Sequence, residues 1–244
     1  MDHINVKQNI AKNSVMICSG KGGVGKSTMA AVIALSLAKK GLKVALLDSD
    51  IYGPSIPHLF KIKNDGHEMV NDKLTPSNIC GIEIMSMGML MPEKNGIVWR
   101  GPMLSKMIKH MLQNTAWSQD LDYMIIDTPP GTGDIHITLT KDYGINECIL
   151  VSTPSHIAIS DVIRAKDAMK NLGICKTSLI INMSYIEYNG INKNIFGNTT
   201  PEQCAELIEI EKFIQIPLLE KIANFDIDWV LRNDFILNCV GSLL

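Results

Sequence analysis

The sequence predicts a doubly wound α/β fold, in which helices cover both faces of a mostly parallel β-sheet. Residues 15–19, 44–48 and 121–126 form three mostly apolar runs of strand length, and such runs are typical of parallel strands that are buried on both faces. Helical patterns lie between these runs, as a parallel sheet requires. Glycine or aspartate stands at the end of each run, which places candidate ligand-binding residues at the carboxyl edge of the sheet.

Length and composition fit one domain with a sizeable core. The chain has 244 residues, of which 46% are hydrophobic and 20% are charged; we expect a polar N-terminal arm over residues 1–13 and a single domain over residues 14–244. A net charge of −2 gives no basic field for general nucleic-acid binding. Residues 1–13 lack the apolar core of a signal peptide, and no apolar run approaches the length of a membrane span. We therefore expect a cytoplasmic protein that binds neither nucleic acid nor membrane.

Cysteine and histidine are spread too widely to form a local metal motif. No two of the six cysteines make a C-x-x-C pair, and no two of the six histidines lie four residues apart. The cysteines are Cys18, Cys80, Cys148, Cys175, Cys204 and Cys239. This spacing matches neither a disulfide framework nor a zinc motif, so we expect most of these side chains to be buried in a reducing compartment.

A glycine-rich loop follows the first apolar run. Gly20 and Gly25 are separated by four residues and are followed by Lys26 and Ser27, which fits the phosphate-binding pattern G-x-x-x-x-G-K-[ST]. Glycines let several backbone N–H groups converge on a phosphate. Lys26 would reach the β- and γ-phosphates, and Ser27 would give its hydroxyl to Mg²⁺. An ordinary glycine turn is the alternative. The candidate ATP-binding residues of the loop are Gly20, Lys21, Gly22, Gly23, Val24, Gly25, Lys26, Ser27 and Thr28.

Carboxylates follow the other two strands. Asp48 and Asp50 stand at the end of the second run, and Asp127 ends the third. We expect Asp50 to orient a water toward the γ-phosphate and Asp48 to support the magnesium shell. Asp127 would hold Mg²⁺ directly or through water. A polar turn remains the alternative for the aspartates after the second strand, since Asp, Gly and Pro all favour turns.

The remaining elements follow from periodicity and turn residues. Helices are predicted over 27–40, 103–112, 158–172 and 203–211, further strands over 82–87, 148–152, 178–182 and 213–216, and a surface excursion over 61–80. The proline- and glycine-rich residues 129–133 are expected to change conformation between triphosphate and diphosphate states, with Gly131 and Gly133 allowing a backbone N–H to approach the γ-phosphate. The methionines of 103–112 predict a packed or partner-facing surface rather than a metal site.

Five segments together resemble the Mrp/ApbC-like P-loop ATPases, which are iron–sulfur cluster carriers related to the ParA/MinD class. The segments are GKGGVGKST at 20–28, DSDIYGPS at 48–55, RGPM at 100–103, DTPPGTGD at 127–134 and NMS at 182–184. They stand in the family's order and cover roughly residues 14–184. The resemblance implies the fold of P-loop NTPases, and hence a single P-loop ATPase domain over residues 14–244.

The resemblance also implies roles for individual residues. Lys21 is similar to the early lysine that reaches into the partner subunit's nucleotide site, which implies a homodimer with Lys21, Lys26 and Asp50 as catalytic residues. Asn182 stands where related ATPases recognise the adenine edge, with a turn asparagine as the alternative, and Pro217 opens a loop whose backbone meets the base. ATP and Mg²⁺ are the implied cofactors, with slow hydrolysis. Apo iron–sulfur proteins or a cluster-assembly scaffold are the implied partners.

The chain departs from the family in the segment that would bind the cargo. After N-M-S-Y the family usually carries a C-x-x-C, and a pair from each subunit is thought to bridge one [4Fe–4S] cluster. Here residues 182–185 (NMSY) are followed by IEYNG at 186–190, without cysteine. The cluster ligands are therefore unknown, and a [4Fe–4S] cluster stays an open possibility. The alternative function is a nucleotide-gated scaffold, or a ParA/MinD-type positioning ATPase, that binds no cluster.

Overall fold

The computed structural model describes residues 7–63, 69–90, 101–145, 147–197 and 199–244. The strands are β1 (Asn13–Cys18), β2 (Val44–Asp48), β3 (Met69–Val70), β4 (Lys73–Leu74), β5 (Ser77–Ile79), β6 (Ile82–Ser86), β7 (Tyr123–Asp127), β8 (Glu147–Ser152), β9 (Lys176–Ile181), β10 (Ile186–Tyr188), β11 (Ile191–Lys193) and β12 (Phe213–Gln215). The helices are α1 (Lys26–Lys39), α2 (Ile56–Leu59), α3 (Gly101–Asn114), α4 (Asp134–Asp142), α5 (His156–Asn171), α6 (Pro201–Ile208), α7 (Glu220–Ala223), α8 (Ile227–Arg232) and α9 (Asp234–Gly241), with a 3₁₀ turn at Met87–Met89.

Eight strands form one sheet in the order β12-β9-β8-β1-β7-β2-β6-β5. Neighbouring strands are parallel except at the edge, where β5 runs antiparallel to β6. The chain moves from β1 to β2 and β6, returns to β7 between β1 and β2, and then continues outward through β8, β9 and β12. This arrangement confirms the predicted sheet. It also sets the carboxyl ends of β1, β2 and β7 side by side at the centre of the sheet, where ligands bind in such folds.

Alternate residues of the central strands face two separate hydrophobic cores. In β1, Val15 and Ile17 point to the core that contains α1, whereas Met16 and Cys18 point to the core on the opposite face. Residues of α1, α2 and α7–α9 belong to the first core, and residues of α3–α6 belong to the second. Successive side chains of a strand point to opposite faces of the sheet, so both faces of a strand are buried when helices cover both sides. The predicted doubly wound arrangement is therefore confirmed.

Helix α1 is buried on nearly every side. Residues 29–37 are at most 2% exposed, because the sheet covers one side of the helix and α9 packs on another. The Ser36 hydroxyl of α1 donates to the carbonyl of Leu237 at 2.8 Å. The helix ends before Gly41, whose φ of +80° suits glycine at a helix C-terminus. This position explains why α1 is apolar on more than one face, as the sequence indicated.

Some boundaries and elements differ from the sequence prediction. Helix α6 begins at Pro201 rather than at residue 203, because the Thr200 hydroxyl caps it by accepting from Gln203 N–H at 3.2 Å. Helices α4 and α7–α9 and the β10–β11 hairpin were not predicted. The hairpin turns through Asn189 and Gly190, both at positive φ, a type I′ signal whose flanking strands are only three residues each.

Two segments of the sequence analysis lie partly outside the described residues. Arg100 of the R-G-P-M element lies outside the described residues, as do residues 64–68 of the predicted surface excursion. Within the predicted arm, Gln8 N–H donates to the carbonyl of Asp142 at 3.0 Å, so its described part lies against the end of α4. Within the described ranges, no helix has both the length and the apolar composition that a membrane crossing requires.

Candidate functional site

The glycine loop joins β1 to α1 and needs glycine for two physical reasons. Gly23 and Gly25 have φ values of +81° and +85°, a left-handed backbone that side chains rarely adopt. Gly20 packs against α5 so closely that an added Cβ would lie 2.2 Å from the backbone carbon of Asp161. At Gly22 and Gly23 an added Cβ would meet nothing within 4 Å. The loop is therefore anchored at its first glycine and open in its middle.

The loop forms one wall of a cavity of about 330 Å³. Lys21, Lys26, Ser27 and Asp50 all line it, as does Pro130 of the segment after β7. The sequence predicts the first four at the same nucleotide site from two separate motifs, residues 20–28 and residues 48–55. The fold places them together because β1, β2 and β7 end at the same edge of the sheet. A cavity walled by a glycine loop, a helix start and two lysines can hold a polyphosphate.

The first residue of α1 forms a buried ion pair with the last residue of β7. Lys26 Nζ lies 2.5 Å from Asp127 Oδ1 and 3.4 Å from Ser27 Oγ. Asp127 is fully buried, and burial raises the pKa of its carboxyl. Among the described residues, Asp127 Oδ2 has no hydrogen-bond partner. A buried carboxylate oxygen without a partner, close to a hydroxyl, fits a hard cation such as Mg²⁺.

Asp48 organises the loop after β2. Its Oδ1 accepts from Asp50 N–H at 3.1 Å, and its Oδ2 accepts from Ile56 N–H at 3.2 Å and from the Ser86 hydroxyl at 3.0 Å. Burial, with the neighbouring Asp127 carboxylate, raises the pKa of Asp48 to about 7. Asp48 is not among the described residues that line the cavity. These contacts give Asp48 a structural role, and its support of the magnesium shell stays a prediction.

Asp50 is held at the cavity by the turn that follows it. Its Oδ1 accepts from the N–H groups of Tyr52 and Gly53, each at 3.3 Å. The side chain is 8% exposed, and it also lines a second, mostly apolar cavity of about 510 Å³. The two cavities share Asp50, Gly53 and Pro130. A carboxylate fixed by two backbone donors at the cavity wall can orient a water molecule.

The segment after Asp127 is hydrogen-bonded to the β1 strand. Thr128 N–H donates to the carbonyl of Ile17 at 3.2 Å, and Gly131 N–H donates to the carbonyl of Ser19 at 2.8 Å. Gly131 has a φ of +85°, so only glycine enters this turn without strain. The predicted conformational segment therefore lies directly beside the glycine loop, which begins at Gly20.

Asn182 and Pro217 lie on the side of the loop next to β9. The Asn182 amide donates from Nδ2 to the carbonyl of Val24 at 2.9 Å, and its side chain touches Gly25. Pro217 is buried between Ile216, whose carbonyl accepts from Ser184 N–H, and Leu218, whose N–H donates to the carbonyl of Tyr185. Their contact with an adenine base stays a prediction. The amide of Asn182 has a structural role, since it fixes the glycine loop.

Two site features were missed by sequence reasoning. The Ser49 hydroxyl donates to the carbonyl of Asp127 at 2.7 Å and ties β2 to β7 at the site. His136, in the first turn of α4, is buried beside the segment after Asp127. The sequence contained one signal for His136, namely a histidine within ten residues of an aspartate that ends a strand. Only the fold shows that the ring of His136 turns back toward Thr128.

The cysteines do not assemble a cluster site near the cavity. In the described part of the chain, no group of three or more His, Cys, Asp or Glu side chains is placed to hold a metal ion. Cys80 and Cys175 are the exposed cysteines. Cys80 precedes β6 and Cys175 precedes β9, so both lie at the amino edge of the sheet, on opposite sides of its centre. The residues present therefore do not fit a cluster held within one subunit beside the nucleotide cavity.

Comparisons with known proteins agree with this geometry. The family model described as "ParA: NUBPL iron-transfer P-loop NTPase" matches residues 10–228. An "Iron-sulfur cluster carrier protein" of Rickettsia bellii (strain RML369-C) is 39% identical over 213 residues, which cover 87% of this chain and 64% of that protein. An "Iron-sulfur cluster transfer protein NUBPL" of Dictyostelium discoideum is 38% identical over 211 residues, covering 85% of this chain and 65% of that protein. The chain thus spans about 64% of the length of the first relative.

Solved structures support the same assignment. A nucleotide-binding protein from Archaeoglobus fulgidus, in complex with ADP, superposes with a TM-score of 0.76 at 32% identity, covering 93% of this chain and 89% of that one. The septum site-determining protein MinD from Pyrococcus horikoshii OT3, complexed with Mg-ADP, has a TM-score of 0.68 at 17% identity, covering 97% of this chain and 94% of that one; this likeness shows the fold alone. The chain belongs to the ParA-type NUBPL iron-transfer family of P-loop NTPases.

Proposed function

We propose that the protein binds ATP with Mg²⁺ and hydrolyses it slowly. The observation that carries the proposal is the cavity in which the glycine loop, Lys26, Ser27 and Asp50 converge. The backbone N–H groups of the loop and Lys26 would bind the phosphates. Ser27 and Asp127 would hold Mg²⁺, which supplies positive charge to the phosphates, and Asp50 would position the attacking water.

We further propose that the active form is a homodimer of the P-loop domain formed by residues 14–244. Lys21 supports this proposal, because it is a second lysine in the cavity wall and is only half-buried there. A second lysine at this place would neutralise developing charge on the phosphates of a facing subunit. Slow hydrolysis follows if the two subunits must meet before the site is complete.

The proposed cellular task is ATP-dependent assistance to the assembly of iron–sulfur clusters or to their transfer to apo-proteins. The names of the Rickettsia and Dictyostelium relatives support this task. The free state of all six cysteines supports a reducing compartment such as the cytoplasm. Partners would be apo iron–sulfur proteins or a scaffold on which clusters are built.

The β10–β11 hairpin favours a second candidate function. It occupies residues 186–193, the place of the family's C-x-x-C, and holds no cysteine. A nucleotide-gated scaffold that contacts partners without carrying a cluster would need no cysteine at this place. A hairpin without cysteine is compatible with cluster transfer only if the cluster ligands come from another place, for example from the apo-protein that receives the cluster.

Anaerobic reconstitution separates the two functions. The full chain is incubated with ferrous iron and sulfide, with and without ATP and Mg²⁺, desalted, and assayed for iron and for absorption near 400 nm. Cluster transfer predicts retained iron, or ATP-dependent acceleration of cluster insertion into an apo-ferredoxin. ATP hydrolysis with neither retained iron nor accelerated insertion would favour the scaffold. Absence of ATP binding by calorimetry would contradict both.

A further inference from the structure

One imidazole joins the two ends of the segment that follows Asp127. His136 is 1% exposed. Its Nδ1 lies 3.2 Å from the backbone nitrogen of Gly133, and its Nε2 lies 3.0 Å from the Thr128 hydroxyl oxygen. Thr128 and Gly133 bound the proline- and glycine-rich turn beside the cavity. The ring therefore closes this turn across its base.

The hydrogen-bond partners determine the tautomer of His136. A backbone N–H can only donate, so Nδ1 accepts from Gly133 and carries the lone pair. The Thr128 hydroxyl donates to the carbonyl of Ile17 at 2.8 Å, so its oxygen accepts from Nε2–H. The ring is thus the neutral Nε2–H form. Three successive hydrogen bonds therefore connect the start of α4 to β1, and in each of them the donor lies on the α4 side.

We infer that His136 is a positioning residue that fixes the turn 128–133 against the glycine loop. The inference rests on the proposed nucleotide hydrolysis and deepens it. Ile17, at the end of the chain of bonds, stands three residues before Gly20. Pro130, inside the turn, lines the nucleotide cavity. His136 itself does not line that cavity among the described residues, so it acts on the nucleotide through the turn.

Loss of the imidazole would remove one hydrogen-bond partner from each of two groups, the Gly133 N–H and the Thr128 hydroxyl. The Gly133 N–H loses its acceptor at the start of α4, and the Thr128 hydroxyl loses its donor. The turn keeps the bonds from Thr128 N–H to Ile17 and from Gly131 N–H to Ser19, so the protein stays folded while the base of the turn loosens. Displacement of groups near a reacting phosphate by about 1 Å can lower a rate up to roughly a hundredfold.

Glutamine and leucine separate this role from simple packing. The glutamine side chain offers one acceptor oxygen and one N–H donor group, so His136→Gln can restore both bonds. His136→Leu fills similar space without polar atoms. Thr128→Val breaks the same chain one bond further along, and the contact of Thr128 Oγ1 with Ile17 is lost with it.

The main experiment measures steady-state hydrolysis with Mg²⁺ and ATP, together with ATP affinity by calorimetry. His136→Leu and Thr128→Val are each expected to lower kcat about tenfold or more while ATP affinity stays within about threefold. The double variant should be no slower than the slower single variant, because both break one chain. His136→Gln should recover most of the rate. A kcat of His136→Leu within about twofold of the wild type would overturn the inference.

Hydrogen exchange tests the inference without any activity. The amides of residues 133–137 are expected to exchange faster in His136→Leu than in the wild type and at near wild-type rates in His136→Gln. Unchanged exchange in His136→Leu would overturn the inference. If the wild-type protein hydrolysed no ATP, the proposed function would fail, and the exchange result alone would decide the role of His136.

Discussion

The Nζ atom of Lys26 and the Oδ1 atom of Asp127 lie 2.5 Å apart, with side chains that are 7% and 0% exposed. Two sequence motifs that are about a hundred residues apart thus meet as one buried ion pair. Removal of either partner leaves the other charge in the interior, which is more costly than the net value of the pair. Loss of either residue should therefore lower the free energy of unfolding, and this effect can be measured without any assay of catalysis.

The first prediction concerns this ion pair. Lys26→Met should lower the free energy of unfolding by about 3–5 kcal/mol, because Asp127 stays buried without its cation. Urea denaturation measures the change. The control is Lys39→Met, which breaks an exposed pair with Asp234 and should cost less than about 1 kcal/mol. Equal losses in the two variants would show that the Lys26 pair is not a buried stabilising contact.

The second prediction concerns the trans role of Lys21. Lys21→Ala should reduce hydrolysis about a hundredfold while ATP affinity changes little, because the lysine would act on developing charge in the partner's site. Lys12→Ala, an exposed pair partner of Asp122 outside the site, is the control. Mixing Lys21→Ala with Lys26→Ala should restore activity, since one site of the mixed dimer keeps both lysines. No recovery on mixing would exclude the trans role.

The third prediction concerns close packing at the first glycine of the loop. Gly20→Ala should unfold at a lower temperature and bind ATP weakly, because its Cβ would lie 2.2 Å from the backbone carbon of Asp161 and push α5 away. Gly22→Ala, where an added Cβ meets nothing within 4 Å, should unfold near the wild-type temperature. Differential scanning calorimetry compares the two. A larger loss for Gly22→Ala would contradict the packing argument.

The fourth prediction builds a ligand pair into the hairpin. Tyr188 and Ile191 face each other across the turn of Asn189 and Gly190 and are 58% and 62% exposed. Tyr188→Cys with Ile191→Cys creates C-N-G-C, and two subunits would supply four thiolates. Reconstituted protein should then retain more iron than the wild type. The Ser versions at the same positions are the control, and equal iron in both would rule out a cluster site at the hairpin.

The fifth prediction concerns pH and helix α8. Asp226 accepts from Lys221 Nζ at 3.0 Å and from Trp229 N–H at 3.1 Å; Lys221 first, then the N–H, hold the pKa of Asp226 below its ordinary value of 3.8. The unfolded chain therefore binds the proton more readily, so this stabilisation is present above the unfolded pKa and is lost as pH falls through the folded pKa. Asp226→Asn should lower Tm at pH 6, and the difference from the wild type should shrink as the pH falls below 3.8. A constant Tm difference would refute the linkage.

Much of the site was predictable because backbone chemistry restricts the sequence there. The glycine loop needs particular residues at particular spacings, and aspartates at the ends of β2 and β7 mark the ligand edge of a parallel sheet. Asp48 shows the limit of such reasoning. Its position at the strand end predicts a magnesium role, which stays a prediction. The hydrogen bonds that its oxygens accept from Asp50, Ile56 and Ser86 are contacts that no sequence pattern could indicate.

Tertiary contacts decided the remaining features. His136 became part of the site only through the path of α4 back toward Thr128. The helices α7–α9 are short, at four, six and eight residues, and isolated helices of such lengths are unstable in water. Helix α9 is stabilised because Ile236, Leu237 and Val240 are buried in the same core as α1, while α8 packs on α1 and α9, and α7 packs on α8. Local periodicity alone does not contain that information.

The shared wall of the two cavities has a consequence for inhibition. Asp50, Gly53 and Pro130 line both the cavity beside the glycine loop and the larger apolar cavity of about 510 Å³. A small molecule that filled the larger cavity and shifted these residues would alter ATP affinity without competing for the phosphates. By thermodynamic reciprocity, ATP would change the affinity of that molecule by the same factor. Inhibition directed there would therefore be of the mixed type with respect to ATP, and its potency would vary with the nucleotide state of the protein.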